Sequence, residues 1–391
     1  MSGLPTIDDA LALVLERVRP LSDEEVEVGA AAGRCLAEDA IARIDLPPFA
    51  SSAMDGYAVR SADTPGALVV AGQSAAGRPA GRALAEAEAI AISTGAVVPD
   101  GADAVVPVEQ TDRGEPEVKV EQVAAGENVR PRGGDVHAGD AVVAAGALLG
   151  PVQVGALASA GLATVRCGRA PRVAILATGT ELRRPGESLG AGQIYESNSV
   201  LLAAAVRSAG AEPELLGAVA DDAAATCAAL ERGLAADVLV TSGGVSVGEH
   251  DLVRASLAEL GAEDVFWRMA VKPGKPIAFA VRGGTLAFGL PGNPVSSLVV
   301  FELLVRPALL ALQGMRDPAP AYLPGILGAT LRRNATRDEL VRARFDDGVL
   351  HPLSGQESHM IGRAANANAL VLVSRGEGEV RRGEQVRWLR L

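Results

Sequence analysis

Aromatic side chains make up only 3% of this 391-residue sequence, although apolar residues as a whole make up 48%. Proteins that bind single-stranded nucleic acid stack the bases on aromatic side chains, so this composition argues against such a platform. The core must therefore be built mainly from alanine, valine and leucine. Because the chain exceeds the size of one hydrophobic core, we expect two to four domains.

Cysteine and histidine are also scarce. The three cysteines, Cys35, Cys167 and Cys227, lie far apart, with no CxxC pair and no histidine at metal-ligand spacing, so we expect buried, reduced thiols. The four histidines come with no G-x-S-x-G elbow, and the chain has neither a Walker A loop nor a G-x-G-x-x-G loop after a strand. Nucleophilic hydrolysis, ordinary NTPase chemistry and dinucleotide binding therefore lack their signatures.

Positive charge is in the minority, with 36 Lys+Arg against 48 Asp+Glu and a net charge of −12. This balance repels nucleic acid and anionic membrane surfaces, and no basic run forms a local patch. The first residues lack the basic region of a signal peptide, which indicates a cytoplasmic protein. Residues 141–161 are uncharged and long enough to span a bilayer, but they are mostly Ala and Gly with Pro151 in the middle. We expect interior strand and helix there and no membrane association.

The sequence pattern predicts two domains in the first 168 residues. Apolar spacing over 6–18 predicts a helix with Thr6 as its N-cap, and a second short helix is predicted over 30–36. After the prolines at 47 and 48, short apolar runs separated by Gly, Pro and Asp predict a small β domain. A helix over 152–160 and a strand over 163–165 then return the chain to the first domain.

From Pro171 the pattern alternates between strands and helices, which predicts a doubly wound parallel sheet. The strands are predicted at 173–177, 214–219, 238–241, 265–269, 277–281 and 285–289, and the helices at 199–209, 223–234, 252–260 and 294–312. The fold class is thus α/β plus β. Its predicted domains are 1–44 with 135–168, the inserted β domain 45–134, the α/β domain 169–316, and a C-terminal β domain 317–391.

The stretch from Val238 to Asp251 has a strand, a glycine loop and a helix in series. Ser242, Gly243 and Gly244 form the loop, in which missing Cβ atoms let backbone N–H groups approach an anion such as phosphate. Ligands of open parallel sheets lie beyond the carboxyl ends of the strands. That rule also selects Thr178 and Gly179 after the first strand.

Two more loops carry suitable residues. Lys272 and Lys275 flank a Pro-Gly pair and supply charges for phosphate, although surface lysines are the alternative. Pro291, Gly292 and Asn293 form a rigid turn before a helix, which is a second possible anion site.

Carboxylates beside a phosphate need a divalent cation, and Mg²⁺ is usually held by one or two carboxylates together with substrate phosphates. The candidate ligands are Glu181, Asp221 and Asp251. Asp221 and Asp222 stand just before a helix and are also natural N-caps.

Eight motifs occur in order: SAMDGYAV at 52–59, STGA at 93–96, RGGDV at 132–136, ATGTEL at 177–182, YESNS at 195–199, TSGGVSVGEHD at 241–251, KPGKP at 272–276 and PGNPVSS at 291–297. Together they resemble the molybdopterin molybdenumtransferases, the MoeA and gephyrin E-domain family. The match extends to about residue 314 and is looser beyond it.

The resemblance implies an elongated, dimeric subunit that acts in the last step of molybdenum cofactor synthesis. Members take adenylylated molybdopterin and molybdate, insert molybdenum and release AMP in a Mg²⁺-dependent reaction. It also implies that Asp55, Thr94 and Asp135 join Glu181 and Asp251 as catalytic residues, reaching the cleft across the dimer. Taken alone, Asp55 is a turn residue before Gly56. Other proteins of cofactor synthesis are further expected partners.

The C-terminal part departs from the family pattern, because Gln356 to Met360 replace a serine-rich stretch. Ser358 and an arginine, Arg342 or Arg344, are the candidate oxyanion or phosphate contacts there, with Arg344 preferred. Two alternatives stay open: a molybdopterin adenylyltransferase, which would be a compact single domain, and a non-catalytic scaffold, which would have lost the acids that are present here.

Overall fold

The structure, a computed structural model, describes residues 3–244 and 252–391. Helix α1 (Ile7–Arg17) begins with the predicted cap. The Thr6 side chain accepts a hydrogen bond from the Asp9 N–H, and the Asp9 carboxylate accepts one from the Thr6 N–H, both at 3.0 Å. Such a reciprocal cap stabilises a helix start by about 1 kcal/mol.

The helix predicted at 30–36 is wrong. Strand β1 (Asp23–Glu27) leads into a single 3₁₀ turn at Val28–Ala30, and β2 (Ala40–Ile41) follows. Between them Cys35 and Leu36 form isolated bridges to Leu148 and Cys167. These bridges replace the predicted helix because they also provide hydrogen-bond partners for the backbone of this segment, and at the same time they bury the side chains of Cys35 and Leu36.

A small β domain follows, as predicted. Its strands are β3 (Ser51–Ser52), β4 (Gly56–Val59), β5 (Gly66–Ser74), β6 (Glu88–Ile92), β7 (Ala104–Pro107), β8 (Glu117–Val120) and β9 (Val129–Arg130), with 3₁₀ turns at Ser61–Asp63 and Val108–Gln110. Five of them form a sheet with the order β7-β4-β6-β5-β8, which encloses its own apolar cluster.

The chain then returns to the N-terminal domain through β10 (Ala141–Val143), α2 (Pro151–Ser159) and β11 (Thr164–Gly168). Strand β11 pairs with β1 and β10 with β2, so the uncharged segment is strand and helix, as predicted. Cys35 and Cys167 are buried here as free thiols, and burial raises the pKa of Cys35 to about 11. Cys227 is also free but only half-buried.

The elements of the α/β domain are β12 (Arg172–Thr178), β13 (Leu182–Arg183), β14 (Ile194–Tyr195), α3 (Asn198–Ser208), β15 (Glu212–Val219), α4 (Ala223–Gly233), β16 (Val238–Ser242), α5 (Leu252–Glu259), β17 (Glu263–Arg268), β18 (Val271–Lys272), β19 (Pro276–Arg282), β20 (Thr285–Leu290), α6 (Pro294–Val300), the π segment Phe301–Val305 and α7 (Arg306–Leu312). Six of the strands form one sheet with the order β15-β12-β16-β20-β19-β17. The doubly wound prediction holds for four parallel strands, whereas β19 and β17 add an antiparallel edge.

The continuous helical stretch Pro294–Leu312 is long and apolar enough to span a membrane by length and composition, but most of it is buried inside the protein. It packs in the main core with Phe279 and Phe288, whose rings lie 4.8 Å apart. Helix α1 belongs to this same core through Ile7 and Val14. The domain boundaries given above remain a prediction. They assign α1 to the N-terminal domain, whereas its buried side chains pack in the core of the α/β domain.

The elements of the C-terminal segment are β21 (Leu323–Leu327), β22 (Leu331–Arg332), β23 (Asp338–Asp346), β24 (Val349–Pro352), α8 (Ile361–Ala364), β25 (Ala369–Val373), β26 (Glu379–Val380) and β27 (Gln385–Arg390). They form a closed sheet in which β23 pairs with both β24 and β25, and β21 and β27 complete the closure. Strand β18 of the preceding domain pairs with β23, so backbone hydrogen bonds join the two domains.

An ion pair fixes the start of the α/β domain. Asp237 accepts two hydrogen bonds from the Arg169 guanidinium, at 3.0 and 2.7 Å, and one from the Arg172 N–H at 2.8 Å. Burial by itself would raise the pKa of Asp237, but these hydrogen bonds hold it below its usual value.

We expect Asp237→Asn to lower the free energy of unfolding by about 1–3 kcal/mol at pH 7, because the guanidinium loses its charged acceptor. Because the pKa of Asp237 is lower in the folded protein than its unfolded value of about 4, the ionised carboxylate stabilises the fold above pH 4. This stabilisation is lost as the pH falls through the folded-state pKa. The difference between the two proteins in urea unfolding should therefore shrink below about pH 4. Asp23→Asn is the matched control, since Asp23 pairs with Arg166 but their side chains are 43% and 46% exposed. An equal loss in both variants would contradict the assignment.

Candidate functional site

Three parallel strands end at the same edge of the α/β sheet. In the register, Ala177 lies opposite Ser242, and Ser242 lies opposite Leu290. The loops that follow β12, β16 and β20 are therefore neighbours, as expected for parallel strands. The Gly243 N–H donates to the Leu290 carbonyl at 3.1 Å, which ties two of these loops together.

The glycine loop needs glycine for its conformation and for space. Gly243 and Gly244 have φ angles of +92° and +70°. A Cβ on Gly243 would lie 2.7 Å from the Thr178 carbonyl oxygen, and one on Gly244 would lie 2.6 Å from Cγ2 of Val253. The Gly243 N–H already has the Leu290 carbonyl as partner, so it is not a free anion donor. The glycines instead let β16 pass directly beside Thr178.

A cavity of about 260 Å³ lies at this edge, and the predicted residues Thr178, Glu181, Ser242, Gly292 and Asn293 line it. Five residues from three separate sequence motifs are thus brought together.

The C-terminal domain reaches the same cavity. Asn293 donates from Nδ2 to Oγ of Ser358 at 2.9 Å, and the Val295 N–H donates to the Ser358 carbonyl at 3.1 Å. His359 and Ile361 line the cavity beside Asn293. Ser358 therefore contacts the loop of Asn293 beside the cavity, and its role as an oxyanion contact stays a prediction.

The two candidate arginines have different surroundings. Arg344 is exposed on β23 opposite His351 and does not line the cavity. Arg342 is only 2% exposed and donates to the carbonyls of Gly355, Glu357 and Met360 and to Gln356. Burial lowers the pKa of the Arg342 guanidinium. Arg342 thus shapes the loop that carries Ser358.

The lysine loop lies at the same sheet edge, because β19 begins at Pro276 and runs antiparallel to β20. Lys272 forms an ion pair with Glu339 at 2.9 Å, so part of its charge is already compensated. Lys275 is half-buried, and neither lysine lines the cavity.

The residues that the resemblance places in the cleft lie in other domains. Asp55 and Thr94 are exposed neighbours, since the Thr94 N–H donates to Oδ1 of Asp55 at 2.8 Å. Asp135 is exposed on the connector, where its N–H donates to the Leu46 carbonyl at 2.9 Å. None of the three lines the cavity within one chain.

Among residues 3–244 and 252–391, no group of three or more His, Cys, Asp or Glu side chains forms a ready metal site. The Glu181 carboxylate lies over Gly179, where an added Cβ would meet its Oε2 at 2.6 Å, and Glu181 lines the cavity. Asp221 does not line the cavity, while Asp222 caps α4 by accepting from the Ala225 N–H at 2.7 Å. Asp251 lies outside the described residues. A site with one or two carboxylates fits Mg²⁺ only if phosphates complete its coordination.

Sequence reasoning missed Asn198 and Glu196, which also line the cavity. Their only signal was the YESNS motif at 195–199, which gave no chemical role by itself.

The fold and the cavity together define a multidomain protein in which a cavity lies between the loops of an α/β domain and a C-terminal β domain. Residues 5–161 match the MoeA N-terminal region (domain I and II), residues 174–311 the probable molybdopterin binding domain, and residues 324–391 the MoeA C-terminal region (domain IV).

The relatives agree over the full length. The chain is 38% identical to the molybdopterin molybdenumtransferase of Haemophilus influenzae, covering 97% of each chain, and 38% identical to molybdopterin molybdenumtransferase 2 of Mycobacterium tuberculosis, covering 97% of this chain and 98% of the relative. The crystal structure of a molybdopterin biosynthesis MoeA protein from Pyrococcus horikoshii superposes with a TM-score of 0.83 at 29% identity, covering 99% and 100% of the two chains. The chain therefore belongs to the molybdopterin molybdenumtransferase (MoeA) family.

Proposed function

We propose that this protein inserts molybdenum from molybdate into adenylylated molybdopterin and releases AMP, as a molybdopterin molybdenumtransferase of molybdenum cofactor biosynthesis. The observation that carries the proposal is the convergence of Thr178, Ser242 and Asn293 on one cavity against Ser358 of the C-terminal domain. Family membership over 97% of the chain supports it.

The residues at and beside the cavity have different proposed roles in this reaction. Thr178 and the glycine loop shape the cavity floor, and Lys272 and Lys275 at the same edge supply positive charge for the phosphates that link the pterin to AMP. Ser358 and Asn293 offer hydroxyl and amide donors to an incoming oxyanion. Water attacks the phosphoanhydride bond and AMP leaves. Molybdate binds through the two dithiolene sulfurs, and one of its oxygens leaves as water with the two thiol protons.

Mg²⁺ is the proposed cofactor, and Glu181 is the described residue best placed to hold it. The ion would neutralise charge on the phosphate oxygens of the leaving AMP. Asp221 and Asp251 complete the proposed ligand set. Glu181 would otherwise repel the phosphates.

Asp55, Thr94 and Asp135 are proposed as catalytic residues that enter the cavity from a partner subunit in a homodimer. This arrangement would bring to the site three exposed residues that do not line this cavity within one chain. Light scattering should give twice the 39.8 kDa of one chain. We further propose a cytoplasmic location and contacts with other proteins of cofactor synthesis.

Purified protein supplied with adenylylated molybdopterin, Mg²⁺ and molybdate should release AMP, measured by chromatography, and the product should reconstitute an apo-molybdoenzyme. Removing Mg²⁺ with EDTA should lower the rate on the order of 100-fold, because the phosphate charges are then uncompensated. Absence of molybdate-dependent AMP release would reject the function.

The same assay distinguishes the proposed function from the two alternatives. A molybdopterin adenylyltransferase would instead consume ATP and free molybdopterin, and a scaffold would do neither. The matched regions on both sides of the α/β domain favour the transferase over the adenylyltransferase.

A further inference from the structure

Lys272 is joined to Glu339 across the boundary between the α/β domain and the C-terminal β domain. Its Nζ lies 2.9 Å from Oε1 of Glu339. The backbones of the two residues are neighbours as well, because β18 pairs with β23 in parallel and Lys272 lies opposite Glu339 in the register. The Asp338 N–H donates to the Ala270 carbonyl at 3.0 Å, which fixes this register. The ion pair is thus part of the contact between the two domains.

The carboxylate is the fixed end of this ion pair. Glu339 lies on a strand that is paired on both sides, with Lys272 on β18 and with Val373 on β25. The Glu339 side chain is 15% exposed, whereas that of Lys272 is 46% exposed. An ammonium group has three N–H donors, and a carboxylate at this distance occupies one of them. Two donors therefore remain for a ligand at the exposed end of the lysine.

The lysine loop that follows β18 lies against the helix that leads away from the cavity. Gly274 contacts α6, since an added Cβ would lie 2.6 Å from Cγ2 of Val300 and 3.7 Å from the Ser296 carbonyl oxygen. Ser296 is in the first turn of α6, three residues after Asn293, which lines the cavity. The lysine loop is therefore next to the cavity without being part of its lining.

We propose that Glu339 is a positioning residue that holds the Lys272 ammonium for the phosphates of the substrate. The inference rests on the proposed function, which supplies a phosphoanhydride beside this loop. In protein kinases, too, a lysine that binds nucleotide phosphates is held by a glutamate from another element. A free lysine side chain loses rotamer freedom when it binds a phosphate, and the ion pair restricts that freedom beforehand. Because the pair is neutral overall, its contribution is directional, and Lys275 supplies the net positive charge of the loop.

The arrangement also couples the two domains. Lys272 belongs to the α/β domain and Glu339 to the C-terminal β domain, which also brings Ser358 to Asn293 at 2.9 Å. Docking of the C-terminal domain therefore orders the phosphate-binding lysine together with the proposed oxyanion contact.

The test is a double-mutant cycle between the two residues, measured by calorimetry with inorganic pyrophosphate and by kcat/KM for adenylylated molybdopterin. Glu339→Gln should weaken pyrophosphate binding and lower kcat/KM about tenfold, the effect of one charge-assisted hydrogen bond that is no longer oriented. Lys272→Met should lower both on the order of 100-fold, because the donors themselves are lost. In the Lys272→Met chain, Glu339→Gln should add less than about twofold, since no ammonium is left to hold. A full tenfold loss in that chain would overturn the inference.

A charge-reversed pair distinguishes positioning from a simple connection between the domains. The double variant Lys272→Glu with Glu339→Lys restores an ion pair between β18 and β23 but moves the ammonium to the other strand. Its kcat/KM should stay on the order of 100-fold below wild type, because no ammonium is presented from the lysine loop at this position. Recovery to within about threefold of wild type would show that the pair only joins the domains, and the proposal would then be wrong.

Glu302→Gln is the matched control, because the Glu302 side chain is 12% exposed and pairs with Arg306 at 2.6 Å, and neither residue lines the cavity. It should lose stability in urea unfolding to a similar extent as Glu339→Gln and leave pyrophosphate affinity unchanged. If Glu339→Gln does not fold, Glu339→Asp withdraws the carboxylate by one methylene and should lower kcat/KM severalfold. Unaltered kinetics in a folded Glu339 variant would contradict the positioning role.

Pyrophosphate binding requires no turnover, so it separates this inference from the proposed function. Pyrophosphate affinity that depends on Glu339 only when Lys272 is present, without molybdate-dependent AMP release, would keep the positioning role and reject the proposed function. AMP release with pyrophosphate affinity and kcat/KM that do not depend on Glu339 would do the reverse.

Discussion

Gly243→Ala should reduce molybdate-dependent AMP release on the order of 100-fold, because displacing a loop by about an ångström at a reacting centre costs that much. The added Cβ would meet Thr178 at two atoms, the carbonyl oxygen at 2.7 Å and Oγ1 at 2.8 Å, in a residue whose φ is +92°. Relief of these contacts must move the loop or the end of β12, and both border the cavity. The measurement is AMP release with saturating molybdate.

Gly261→Ala is the control for backbone strain alone. Gly261 has a φ of +82° and no atom within 4 Å of an added Cβ, and it follows α5. Its variant should lose stability, by about 1 kcal/mol, yet retain activity. If both variants retain activity while the Gly243 variant folds normally, the glycine loop does not shape the site.

Asp55→Ala should lower turnover on the order of 1000-fold, within the range for a lost acid–base group, while leaving the fold intact. The side chain is exposed, and its described hydrogen bond is to the Thr94 N–H. Asp63→Ala is matched to it, because Asp63 accepts from the Ala87 N–H at 3.0 Å in the same small β domain. Full activity of Asp55→Ala would remove the residue from the proposed site.

Co-expression of the two inactive variants tests the partner-subunit arrangement. If Asp55 of one chain serves the glycine loop of the other, mixed dimers of Asp55→Ala and Gly243→Ala chains contain one intact site, and activity should recover to about a quarter of wild type. If both residues act within one chain, the mixture stays inactive.

Much of the secondary structure could be predicted because it follows from local patterns. The short apolar run at 238–242 predicts a buried strand. A cap such as Thr6 with Asp9 predicts the start of a helix from four consecutive residues. The failure at 30–36 has the opposite cause, since Cys35 and Leu36 pair with residues more than a hundred positions away.

For the site, the strand pattern was enough to predict which loops converge, because parallel strands in series must place the ends of β12, β16 and β20 at one edge. It also singled out Gly243 and Gly244 as a loop without Cβ atoms. What those glycines do became visible only in the folded structure. The N–H of Gly243 is used by Leu290, so the loop makes room beside Thr178 and does not offer that donor to an anion.

The tertiary structure alone also selected Asn198, whose partners Ser242 and Gly292 come from two other strand ends. These two hydrogen bonds could not be foreseen, because hydrogen bonding depends on which groups folding brings within about 3 Å, and a local motif does not contain that information.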